Sequence, residues 1–159
     1  GTSATYHRGR WSERVKAVLR RMDHSNIFLF IAGTYTPLAL MLLHGASRVV
    51  LLSVIWGVAA LGVLFRIFWL GAPRWLYTVL YVLMGWTAVG WLVPLYRSGG
   101  PLIVGLIIGG GLIYTLGAVV YGRKRPDPSP AWFGFHEIFH LCTILAAGCH
   151  FAAICLATF

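Results

Sequence analysis

Of the 159 residues, 58% are hydrophobic and only 11% are charged. A soluble domain carries roughly 25% charged residues, so the composition excludes a soluble globular fold. A formal charge of +9 would point to nucleic acid in a soluble chain. Here membrane topology accounts for it, and nucleic acid is excluded as a partner.

In chain order, residues 1–7 read as the end of a helix whose beginning precedes this sequence. Residues 8–24 hold Arg8, Arg10, Arg14, Lys16, Arg20 and Arg21, with Trp11, Val15, Val18, Leu19 and Met22 at helical spacing on the other side. That pattern predicts a cytoplasmic amphipathic connector lying in the membrane interface. Five apolar runs follow, at about residues 27–43, 49–70, 75–96, 102–122 and 135–159. Each is near the roughly 20 residues needed to cross a bilayer. Turn signals separate them at His44-Gly45, Gly71-Ala72-Pro73, Ser98-Gly99-Gly100-Pro101 and Pro126-Asp127-Pro128-Ser129-Pro130. Pro37 is expected to kink or break the first span. Glycines at 57, 62, 85, 90, 105, 109–111 and 117 are expected to let helices approach closely. With no internal repeat, residues 1–159 form a single transmembrane domain.

Lysine and arginine alternate along the chain: successive polar segments hold six, one, two, one and three of them. Positive loops face the cytoplasm. Residues 8–24, 71–74 and 123–134 are therefore cytoplasmic, and the C-terminus lies outside a bacterial inner or plasma membrane. Arg66, near the inner end of its span, is expected to snorkel to the surface. Cys142, Cys149 and Cys155 all lie on the last run, spaced too far apart to bridge one another, and read as small packing residues.

The last span opens with Phe135-His136-Glu137-Ile138-Phe139-His140. His136 and His140 are four residues apart, so on a helix they share one face about 6 Å apart along the axis. Ionisable groups within a span usually point inward and carry function. The topology brings His7, Asp23 and this pair to one membrane depth from three helices, with Ser3 one turn before His7. Three imidazoles with one open position are a catalytic type of zinc site. Asp23 could accept a proton from a water there, and Ser3 could hydrogen-bond the water or an oxyanion. Glu137 completes an H-E-x-x-H pattern, which in soluble metalloproteases supplies two ligands and a base. No acid lies deep in another span to act as a third protease ligand. His150, about 21 Å further along the helix, cannot share the metal and is expected to make a buried polar contact with a neighbouring helix.

Three segments now suggest a relationship: Thr2-Ser3-Ala4-Thr5-Tyr6-His7-Arg8, Met22-Asp23-His24-Ser25-Asn26-Ile27 running to Ile31-Ala32-Gly33-Thr34-Tyr35-Thr36-Pro37, and His136-Glu137-Ile138-Phe139-His140. In this order they resemble the bacterial haemolysin III family, part of the progestin and adipoQ receptor superfamily and akin to alkaline ceramidases. The resemblance implies an all-α, seven-helix transmembrane bundle with a cytoplasmic N-terminus. Here it would be represented by five full spans and the end of a sixth. It also implies zinc near the inner face on His7, His136 and His140, with Ser3 and Asp23 beside it. The function expected is metal-dependent hydrolysis of a lipid amide or ester by zinc-activated water, with membrane lipids as partners and the oligomeric state open. The alternatives are a membrane-perturbing haemolysin-like protein, or a receptor or homeostasis sensor in which zinc is structural.

Overall fold

The computed structural model describes residues 5, 9, 11–129 and 132–159. Ser3 and His7 lie outside the described residues. Helix α1 spans Glu13–Leu42, α2 Gly45–Phe68 and α3 Arg74–Gly85. A 3-10 segment, Trp86–Trp91, leads into α4, Leu92–Arg123, and α5 is Phe135–Thr158. Among the described residues there is no strand, only an isolated bridge between Ser129 and Phe133.

Helix α1 differs from the sequence expectation. It opens at Ser12, whose hydroxyl accepts from the Val15 amide, with Glu13 in the first turn. It then continues for 30 residues without the expected division into a surface connector and a span. At 1.5 Å per residue it is about 45 Å long, against a hydrocarbon core of roughly 30 Å. It also runs through Pro37 unbroken.

Among the described residues four helical stretches are long and apolar enough to cross a membrane: Glu13–Leu42, Gly45–Phe68, Arg74–Arg123 and Phe135–Thr158. Sequence reading expects five, because it divides the third stretch in two. Residues 74 and 121 would stand about 70 Å apart on one straight helix. Instead the Arg74 guanidinium lies over the Tyr121 ring, 4.9 Å from its centroid. Trp86 Nε1 donates to Thr115 Oγ1 at 2.9 Å. The chain therefore doubles back between them, at Gly100, where φ is +74°, followed by Pro101. Only glycine adopts that backbone without strain.

Neighbouring segments pack antiparallel. Trp56 Nε1 on α2 donates to Thr36 Oγ1 on α1, and the Phe28 ring occupies the place of a Cβ at Gly62. On the other side, Gly110 and Gly117 of α4 admit His150 and Cys142 of α5. Gly57, Gly85, Gly90, Gly105 and Gly109 meet nothing close, so only some of the glycines expected at interfaces serve there. The core runs down the inner face of α1 (Phe28, Ala32, Tyr35, Leu38, Leu42). It meets Leu51, Ile55 and Ala59 on α2, Met84 on α3, and Ile103 and Ile107 on α4.

Candidate metal centre

The start of α5 is set by two carboxylates. Glu137 accepts a hydrogen bond from the Gly134 amide at 2.9 Å, and Asp127 accepts one from the Phe135 amide at 3.0 Å. They satisfy N–H groups that no helical carbonyl reaches. Fixing the first turn here fixes the phase of everything after it. His136 and His140 then fall on one face, with Nε2 atoms 3.1 Å apart and ring planes at 89°.

That arrangement fits a shared cation. Two nitrogens 3.1 Å apart, each about 2.05 Å from a zinc ion, subtend roughly 100° at the metal, near the tetrahedral value. Among the described residues no group of three His, Cys, Asp or Glu side chains gathers to hold a metal. The pair would supply two ligands, and His7, assigned to the same site by sequence, lies outside the described residues. Glu137 is exposed, with its carboxylate engaged in the helix cap. As the base of a metalloprotease H-E-x-x-H it would have to leave that cap, which weighs against the protease reading.

Around the pair, Tyr121 packs on His136, Phe135 and Phe139, with ring centroids 6.0, 6.3 and 4.9 Å away. Tyr121 also meets Tyr77 of α3. The Tyr77 ring lies 5.5 Å from that of His24 on α1, whose carbonyl accepts from the Tyr81 hydroxyl at 3.1 Å. Asp23, next to His24 in sequence, is half-buried. The stretch of α1 around His24, the beginnings of α3 and α5 and the ends of α2 and α4 thus meet at one polar end of the bundle.

Arg66 corrects the sequence reading outright. It does not snorkel; it is fully buried. Its Nη2 lies 2.6 Å from His24 Nδ1, and its guanidinium stacks 4.5 Å from the Tyr77 centroid. A guanidinium carries no acceptor and keeps its proton, so His24 Nδ1 must accept. The imidazole is therefore neutral, with its other proton on Nε2. Sequence did carry a signal for this burial. Leu51, Ile55, Ala59, Gly62 and Arg66 recur every three or four residues, and all five form the buried face of α2.

His150 behaves as its spacing predicts. It lies far from the pair, and its Nε2 sits 3.2 Å from the Ile107 carbonyl of α4. A groove of about 720 Å³ runs between α1 and α5 from Asn26 to Ile154, lined by Leu29, Phe30, Gly33 and Phe151.

Fold and site together define an all-α membrane bundle with a histidine pair at one polar end. Comparison with known proteins places that bundle in a family. A family model described as haemolysin-III related matches residues 1–151. The hemolysin-3 homolog of Bacillus subtilis (strain 168) is 36% identical over 124 residues, covering 77% of this chain and 58% of that protein. Hemolysin-3 of Bacillus cereus is 36% identical over 123 residues, covering 77% of this chain and 56% of its own length. The chain belongs to the haemolysin III family, and it spans just over half the length of these two relatives. No solved structure matches it.

Proposed function

We propose that this chain is part of a zinc-dependent hydrolase that cleaves an amide or ester bond of a membrane lipid at the cytoplasmic face. The observation that carries this reading is the convergence of His136 and His140 Nε2 to 3.1 Å at the polar end of an apolar bundle. His136 and His140, with His7 as third ligand by family resemblance, would hold zinc. When bound, the metal supplies an activated water at neutral pH and polarisation of a carbonyl. By the same resemblance, Asp23 would accept a proton from a bound water and Ser3 would donate a hydrogen bond to an oxyanion. The groove between α1 and α5 offers an acyl chain an apolar path that begins beside Asn26, three residues from Asp23. The basic segments at the same end, read by the positive-inside bias, support a reaction at inner head-group depth.

The test is turnover by purified, zinc-loaded protein presented with a panel of lipid amides and esters in mixed micelles. Release of fatty acid that is lost in Asp23→Ala, with zinc retained, is expected. A zinc-loaded protein that cleaves nothing in the panel overturns the reading.

The names of the two relatives favour a second reading, in which the chain perturbs membranes. Leakage of dye-filled liposomes separates the two. Leakage that persists in His136→Ala and without metal favours the haemolysin-like role.

A further inference from the structure

Buried donors at the polar end exceed the acceptors that reach them. Arg66 has no solvent exposure. Its Nη2 is taken by His24, but Nε and Nη1 meet no partner among the described residues. Arg74 Nη1 and Ser25 Oγ are buried at the same end and are also without a partner. These three residues carry four of the five such atoms among the described residues, so the deficit is concentrated rather than scattered.

A guanidinium cannot relieve burial by losing its proton, and an uncompensated buried charge is strongly destabilising. The chain's own carboxylates do not compensate Arg66. Asp127 and Glu137 cap α5, Glu13 sits exposed in the first turn of α1, and Asp23 does not reach Arg66 Nε or Nη1. Among the described residues no anion meets these donors.

Their position says which anion would. Arg66 is near the end of α2 and Arg74 begins α3, so the two flank the turn at residues 69–73. Arg66 stacks on Tyr77, Arg74 stacks on Tyr121, and the two tyrosines meet. Phe68, Trp69 and Trp75, which are 83%, 52% and 64% exposed, surround the turn. Exposed tryptophans beside a basic turn belong at the level of lipid head groups. Three donor atoms on two guanidiniums suit phosphate, with its several oxygens, better than a carboxylate with two.

We propose that Arg66 and Arg74 form a binding site for the phosphate of an anionic phospholipid. Its head group enters beside the α2–α3 turn, and its acyl chains lie against Phe68, Trp69 and Trp75. The site needs no metal, although Tyr121 lies between Arg74 and His136.

The test follows thermal unfolding of the purified protein in neutral detergent with chelator present, so that its outcome is separate from the zinc reading. Phosphatidylglycerol, phosphatidylcholine and inorganic phosphate are titrated in parallel, and retained lipid is counted by native mass spectrometry. Saturable stabilisation by phosphatidylglycerol, absent with phosphatidylcholine, is expected. Arg74 is only half-buried, so Arg74→Gln should fold, and it should weaken binding roughly tenfold, as loss of a charged hydrogen bond does. Arg66→Lys, which keeps the charge and loses the planar guanidinium, should weaken it similarly. Equal stabilisation by phosphatidylcholine, an unchanged Arg74→Gln, or a full effect from inorganic phosphate alone overturns the lipid site.

Discussion

Midway along the bundle and at its polar end, the same side-chain types meet different fates. In the middle, polar groups close on one another. The Tyr35 hydroxyl donates to the Gly85 carbonyl at 2.6 Å and accepts from the Ala88 amide at 2.9 Å, holding the chain where α3 gives way to the 3-10 segment. Trp86 donates to Thr115, which donates to the Gly111 carbonyl. His150 meets the Ile107 carbonyl, and among the described residues there only the Tyr114 hydroxyl is left over. At the polar end, two imidazole nitrogens face each other and two guanidiniums keep unmatched donors. Tyrosine and histidine are structural where the local backbone completes them. At the polar end the two imidazoles of α5 meet each other instead.

Substitutions that exchange the two behaviours would break this contrast. The largest effect is expected for metal content. His136→Ala and His140→Ala should bring zinc, measured by elemental analysis of protein purified without added metal, down to background, whereas His150→Ala should leave it unchanged. Loss of zinc in His150→Ala would erase the distinction. A smaller effect, on stability alone, is expected at Gly110, where any side chain collides with the His150 ring. Gly110→Leu should cost about 1–3 kcal/mol, read as a lower thermal midpoint, and His150→Ala in the same chain should recover part of it. Tyr35→Phe sharpens the comparison most gently. Leaving the Gly85 carbonyl and Ala88 amide without their partner should cost about 1–3 kcal/mol, with zinc content untouched.

The spans were legible in the sequence because apolar length and turn residues are local signals. The histidine pair was legible for the same reason, since a spacing of four on a helix needs no tertiary knowledge. His150 could be separated from that pair by arithmetic along one helix. Arg66 was misjudged because snorkelling is a rule for an isolated helix, whereas the neighbours Tyr77 and His24 come from other segments. Weighing its register with Ile55, Ala59 and Gly62 would have placed it inside. The change of charge pattern near residue 24 suggested a break in α1, yet charge alone does not end a helix. No glycine or proline stands between Glu13 and Asn26 to end it. Conversely, the loosening at residues 86–91 has no proline to announce it, and it is completed by Tyr35 from some fifty positions away.

The unbroken course of α1 has a mechanical consequence. About 15 Å of this rod extends beyond what a bilayer core can cover, and it bears Val15, Val18 and Met22, all exposed. With no hinge before Asp23 and His24, a tilt imposed on the overhanging part would travel undamped to those two residues. The overhang is thus a lever whose short arm ends among the groups at the polar end.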